Sequence, residues 1–196
     1  MKILLTKILQ NLKKFKYVIL GLLILIIIGT FGISQNKEDS TRASTPTTTT
    51  ETKPQYTIFH LVIPKLDMSV PIIPDVDGND KEEYFKSLES GVAHYKGTSK
   101  PGDGSNIFIF GHSSFYWWSP GDYKEIFKTL SDLEEGDEII VWREGKEYKY
   151  KVTETKLVSP TDVSVLKPTK TEQVTLMTCW PPGTTQRRLI IIAKPI

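Results

Sequence analysis

Cysteine and histidine are scarce in this chain, with one of the former and three of the latter in 196 residues. A lone cysteine rules out an internal disulfide. With no second thiol and no histidine cluster at ligand spacing, a zinc site is not expected. The G-x-S-x-G elbow of many serine hydrolases is missing, and the run Glu134-Glu135-Gly136-Asp137-Glu138 lacks an EF-hand pattern and reads as a solvated turn. A basic stripe is missing too. Residues 1–16 hold five lysines and no acid, while the rest of the chain carries 20 basic against 23 acidic side chains. A slightly acidic remainder offers nucleic acid no electrostatic footprint, so no nucleic-acid partner is expected.

There is a single long apolar run, residues 17–33, free of charge. As a helix it measures about 26 Å, at the short end of what spans a bilayer. The lysines before it place its N-terminal side in the cytoplasm, so everything after it is expected outside. Gly32-Ile33-Ser34 matches a signal-peptide cleavage site poorly, which favours a retained anchor over a removed leader. Residues 34–55 are Thr- and Ser-rich with almost no apolar side chains, and are expected to form a disordered stalk. The expected plan is a basic cytoplasmic tail (1–16), a single-pass anchor (17–33), a stalk (34–55) and an extracellular domain (56–196) at the cell membrane.

From Tyr56 the texture becomes short β-rich runs punctuated by Pro, Gly and Asp. Strands are predicted near 56–63, 67–73, 92–95, 106–111, 138–143, 147–158, 173–179 and 188–194, with Gly145 at a turn. Helices are predicted over Lys81–Leu88 and Asp122–Leu133, the second from the spacing of Ile126, Phe127, Leu130 and Leu133. A single helical turn is predicted at Val163–Leu166. Many short strands with few helices argue for a mainly β barrel or sandwich.

An unpaired thiol in an exported chain is inert, bridged to another molecule, or reactive. Cys179 ends a predicted strand, His112 ends another, and Arg188 begins a third. A cysteine nucleophile acts as thiolate and needs a partner for its proton, a role for which histidine is suited. A guanidinium can stabilise the oxyanion that follows attack. Nine residues separate Cys179 from Arg188 and include Pro181-Pro182-Gly183, a spacing that suits two neighbouring strands joined by a tight loop. His112 precedes Cys179 by 67 residues, the reverse of the papain order.

Several segments together resemble the sortases. Ile63-Pro64-Lys65-Leu66-Asp67-Met68-Ser69-Val70-Pro71-Ile72 is similar to their paired opening strands. Gly91-Val92-Ala93-His94-Tyr95, Thr98, Pro101-Gly102 and Asn106 to His112 resemble the approach to their histidine. Leu133, Gly136-Asp137, Thr175 to Cys179 and Arg188 to Ala193 follow in the family's order, so the resemblance covers residues 56–196. It implies an eight-stranded sortase-like β-barrel with short helices. The short loop between Cys179 and Arg188 is most similar to the class C or class E groups, although residues 34–55 carry no acidic-aromatic lid motif.

The resemblance also implies an activity. Cys179 is then the nucleophile, His112 the acid/base and Arg188 the oxyanion-stabilising cation of a cysteine transpeptidase. Such an enzyme cleaves an LPXTG-like C-terminal sorting signal of an exported protein and passes the acyl group to an amine acceptor, on a cell-wall precursor or a protein lysine. No metal or organic cofactor is implied. His94, Thr178, Trp180 and Trp117 stand as candidate substrate-binding residues, with a structural role as the alternative for His94 and a barrel-rim role for the tryptophans. Arg187 is expected to be a solvated charge beside Arg188, and His60 has no supporting context. A hydrolytic cysteine endopeptidase and an inactive wall-peptide-binding module are the competing readings.

Overall fold

The computed structural model of the protein describes residues 56–196. The expected basic tail, anchor and stalk lie outside the described residues. Among the described residues no helix is long and apolar enough to cross a membrane.

Eight strands form a closed barrel. β1 (His60–Ile63) and β2 (Met68–Val76) pair antiparallel through a 3-10 turn at Pro64–Leu66, where Asp67 takes a left-handed conformation and its amide bonds to the Pro64 carbonyl. β3 (Val92–Tyr95) runs parallel to β2, so the chain must cross over between them. Helix α1 (Lys81–Ser90) makes that crossover. Asp80 caps it by accepting from the amides of Glu82 and Glu83, two acids that also suit the positive end of the helix dipole. The helix exits over Gly91, where a Cβ would lie 2.3 Å from the Pro71 carbonyl oxygen, so only glycine lets the backbones pass this close.

β4 (Asn106–Phe110) lies between β3, antiparallel, and β7 (Gln173–Trp180), parallel. β5 (Glu138–Arg143) and β6 (Lys146–Val158) form a hairpin whose two-residue turn, Glu144-Gly145, has positive φ at both positions. That conformation matches the natural strand twist. β8 (Arg187–Pro195) joins β6 to β7, and β5 pairs with β1 to close the order β1-β2-β3-β4-β7-β8-β6-β5.

Two apolar clusters follow from strand alternation. Inward residues such as Leu61, Val70, Ile107, Ile109, Leu176 and Ile191 fill the barrel. A second cluster of Val76, Leu88, Ala93, Phe108 and Phe110 lies on the opposite face of the same strands, covered by Tyr84 of α1 and by Val165 and Leu166 of the β6–β7 connection. β4 is therefore buried on both faces, which explains its unbroken apolar run Ile107-Phe108-Ile109-Phe110. Truncating Phe108 to alanine here should cost about 3–5 kcal/mol.

The helix predicted over Asp122–Leu133 does not form. The segment is a chain of turns ending in a 3-10 turn at Leu130–Asp132. Its amides reach back three residues, as in Ile126 to Tyr123, Lys128 to Glu125 and Leu130 to Phe127. The Phe127 amide bonds instead to the carbonyl of His112 at 2.9 Å, which an α-helical bond to Tyr123 would forbid. The apolar spacing still serves burial, because Phe127, Leu130 and Leu133 enter the core. The other elements agree with the sequence reading to within a residue, apart from a first strand that starts four residues late and a first helix, second strand and last strand that run longer.

Candidate active site

The register of β7 and β8 sets Cys179 directly opposite Arg188 and Trp180 opposite Arg187. Alternation turns Leu176 inward and Met177 and Cys179 outward on β7, and Leu189 inward and Arg188 outward on β8. On the other side of β7, the Gly111 amide bonds to the Met177 carbonyl at 3.1 Å, carrying the β4–β7 ladder one residue past β4. Thr178 reinforces it by donating to the Gly111 carbonyl at 2.8 Å. With Phe110 paired to Met177, His112 emerges two residues on, level with Cys179. His112, Cys179 and Arg188 thus stand in a row across three adjacent chain segments, and all three line one cleft of about 370 Å³.

Each side chain is held by its surroundings. Gly111 permits the approach of His112, since a Cβ there would lie 2.8 Å from Phe127 Cδ2. The His112 ring stacks on Phe115 at 4.5 Å between centroids, with Phe85 of α1 at 6.5 Å. Burial pushes its pKa below the usual histidine value, so the resting imidazole is neutral at neutral pH. Arg188 donates through Nη1 to the carbonyls of Thr185 and Arg187, which brace the guanidinium at the cleft edge. Arg187 reaches away and donates to the Leu157 carbonyl. Tyr84 joins the site from α1, stacked on Phe110 at 5.2 Å. Burial is the main cause that raises its hydroxyl pKa, and the nearby Arg188 guanidinium works against that rise.

The other sequence candidates lie elsewhere. His94 is fully buried and points into the barrel. Its Nδ1 accepts from the Asp75 amide and its Nε2 donates to the Ser99 carbonyl, a pattern that needs the neutral ring. The 3.5 Å approach of the Asp75 carboxylate is therefore no ion pair at neutral pH, in keeping with a pKa lowered chiefly by burial. Thr178 is buried behind Cys179 and reaches the cleft only through Gly111. Trp180 packs against the barrel interior, on the face opposite Cys179. Trp117 is 83% exposed, edge-on to Trp118, and lines no part of the cleft. His60 bonds to Ser69 and stacks on Tyr56, away from the cleft.

Sequence reasoning gave no role to Tyr84 and Phe85, although both wall the cleft. Their signal was an aromatic pair one turn before Leu88 on a predicted helix. Thr184 and Thr185, in the loop between Cys179 and Arg188, also line it. A second groove of about 310 Å³ shares Tyr84 and Arg188 with the first. It runs over Phe108, Phe110 and Met177 and is walled by Tyr95, Val163, Val165 and Leu166. Among the described residues, no group of three or more His, Cys, Asp or Glu converges as metal ligands would.

Comparison with known proteins identifies the fold. Residues 61–196 match the family model described as the sortase domain. Over 140 residues the chain is 29% identical to Sortase D of Bacillus subtilis (strain 168), covering 69% of this chain and 62% of that protein. Over 156 residues it is 30% identical to Sortase SrtE1 of Streptomyces coelicolor, covering 72% of this chain and 40% of that one. The chain thus spans less than two thirds of the length of either relative. Among solved structures, the lid mutant of sortase A from Corynebacterium diphtheriae superposes with a TM-score of 0.59 at 29% identity, over 74% of this chain and 72% of that one. Sortase C-1 from Actinomyces oris gives 0.59 at 29% identity, over 70% and 72%. The matches cross groups lettered A, C, D and E and so assign no subgroup. The chain belongs to the sortase family, whose members are known as cysteine transpeptidases.

Proposed function

We propose that this protein is a cysteine transpeptidase that cleaves an LPXTG-like sorting signal and passes the acyl group to an amine. The observation that carries the reading is the row His112–Cys179–Arg188 along one cleft, with Cys179 and Arg188 as a cross-strand pair. Neutral His112 takes the Cys179 proton as the sulfur attacks the carbonyl carbon of the scissile peptide bond. Arg188 stabilises the resulting oxyanion with the donors not engaged by Thr185 and Arg187. Collapse breaks the C–N bond, and the imidazolium gives its proton to the departing amine, leaving a thioester on Cys179. An incoming amine then attacks the thioester, loses its proton to His112, and releases the amide product and the thiolate.

In this reading the residues upstream of the scissile bond lie in the second groove, over Phe108, Phe110 and Met177. The apolar run 17–33 anchors the enzyme by a single pass, with residues 1–16 cytoplasmic and the stalk 34–55 holding the barrel outside the cell. Its partners are exported proteins bearing the signal, and an amine on a wall precursor or a protein lysine.

The test is product analysis with an LPXTG-like peptide, with and without triglycine as the amine. Transpeptidation yields an amide adduct, and mass spectrometry of a quenched reaction finds the peptide's acyl fragment on Cys179. Release of free acid alone in both arms indicates the endopeptidase instead. Absence of any acyl-Cys179 overturns both and leaves the binding module.

A further inference from the structure

The β6–β7 connection, residues 159–172, supplies one wall of the second groove through Val163, Val165 and Leu166 of its 3-10 turn. That wall is thinly supported. Behind it lies a polar cavity of about 300 Å³, lined by Asn106, Lys156, Ser164, Gln173 and Thr175 among others, and Val165 borders both spaces. Val165 and Leu166 are only partly buried against the outer apolar cluster. A turn with open space on both sides takes its position from whatever holds its backbone.

The side chain that ties this turn's own carbonyls to the barrel is Asn106. Asn106, 2% exposed at the first position of β4, donates through Nδ2 to the Val165 carbonyl at 2.9 Å and to the Lys167 carbonyl at 3.2 Å. Its Oδ1 accepts from Thr175 Oγ1 at 2.7 Å and from Gln173 Nε2 at 3.4 Å, which fixes the amide orientation so that the NH₂ faces the loop. Ser105 adds an outer tie, donating to the Thr169 carbonyl and accepting from the Thr169 amide. Asn106 pairs with Gln173, six residues up β7 from Cys179. At about 3.3 Å per residue that is roughly 20 Å from the thiol, too far to touch reacting atoms.

We propose that Asn106 is a positioning residue for the acyl donor: its carboxamide latches the Val163–Leu166 turn and so sets the width of the groove that receives the peptide upstream of the scissile bond. The inference rests on the transpeptidase reading and on that assignment of the groove. Loss of the latch weakens capture of the donor while leaving the Cys179 chemistry intact. The thiol sits on a different part of β7, held by Gly111 and Thr178.

The experiment compares wild type with Asn106→Asp, which keeps both accepted bonds but has no NH₂ for the loop carbonyls, and with Asn106→Ala, whose freed carbonyls can be hydrated from the adjoining polar cavity. Thr175→Val serves as a control that perturbs the network without removing the latch. Three quantities are read: KM and kcat for the best-cleaved member of a fluorogenic LPXTG-like peptide set, the adduct-to-acid ratio with triglycine, and the rate of Cys179 alkylation by iodoacetamide, a probe too small to need the groove. Both Asn106 variants are expected to raise KM at least fivefold, with kcat, product ratio and alkylation rate within twofold of wild type. Thr175→Val is expected to stay within twofold throughout. Unchanged KM in the two Asn106 variants overturns the latch, and so does a parallel fall in alkylation rate, which marks general disruption. Failure of the transpeptidase reading looks different: wild type itself then turns over no peptide.

Discussion

The inside of the barrel and its outer face above β4, β7 and β8 are built from the same strands, yet they treat polar groups in opposite ways. Inside, His94 is fully buried with both ring nitrogens bonded, and Thr178 spends its hydroxyl on the Gly111 carbonyl. On the outer face, His112 stacks between two phenylalanines beside Cys179, and no described group hydrogen-bonds to its ring. Both histidines are pushed below the ordinary pKa by burial. Burial and a lowered pKa therefore do not separate a reactive histidine from a structural one. What sets His112 apart is a ring with no hydrogen-bond partner among the described residues, lying in the same cleft as the lone thiol, as the proposed acid/base role requires.

The widest expected gap between the two faces is in activity. Cys179→Ala should abolish thioester formation, a loss of at least about 10³-fold in turnover of an LPXTG-like peptide, since no other thiol exists to replace it. His112→Ala should cost roughly 10²–10⁴-fold and Arg188→Ala roughly 10²–10³-fold. Circular dichroism should show all three folded, because these side chains project from the outer face rather than into the barrel. Interior truncations invert the pattern. Leu176→Ala, three residues before Cys179, should lose about 2–5 kcal/mol of stability in denaturant melts while the folded fraction still acylates. A Cys179→Ala protein with wild-type turnover would sink the nucleophile assignment.

Acid should strike the two faces through the same physics. His60, His94 and His112 all have pKa values lowered chiefly by burial. An unfolded chain takes up these protons near pH 6.5, whereas the folded protein does so only at lower pH. The unfolded state then binds more protons in that window, so stability is full above about pH 6.5 and falls as the pH drops through the depressed folded values. Urea midpoints measured at pH 7.5 and pH 5.5 should differ in that direction. His94→Gln should lower stability at pH 7.5 yet shrink the difference, and it should leave kcat nearly unchanged. A large fall in kcat with unchanged stability would move His94 into the reactive machinery.

Most of the strands were legible because alternation and Gly/Pro punctuation are local signals. The pairing of Cys179 with Arg188 was legible for a related reason: nine residues with a Pro-Pro-Gly centre leave little but a hairpin. Inward and outward assignments on β7 and β8 follow from the same period of two. What sequence reasoning missed depends on contacts far apart in the chain. The turns at 122–133 share their apolar spacing with a helix, and only the capture of the Phe127 amide by the His112 carbonyl decides between them. Tyr84 and Phe85 reach the cleft because α1 crosses over the outer face, which no local pattern encodes. Trp180 looked like a cleft residue from its place beside Cys179, but alternation turns it toward the interior.

The smallest expected effects come from the aromatic run that leaves the cleft. Phe115 covers the His112 ring, whereas Trp117 is held mainly by its edge contact with Trp118. Phe115→Ala should admit water beside His112 and let its pKa rise toward the ordinary histidine value. With only three histidines in the chain, that shift can be followed by NMR titration of a single ring resonance. Peptide turnover should fall several-fold, because the ring loses its stacking partner while the neighbouring strand contacts persist. Trp117→Ala, by contrast, removes a side chain that is 83% exposed and should change stability by no more than about 0.5 kcal/mol. The His112 titration should also stay in place. If Trp117→Ala moved that titration as far as Phe115→Ala does, the aromatic run would act as one unit, and the boundary of the outer-face site would extend to the exposed tryptophans.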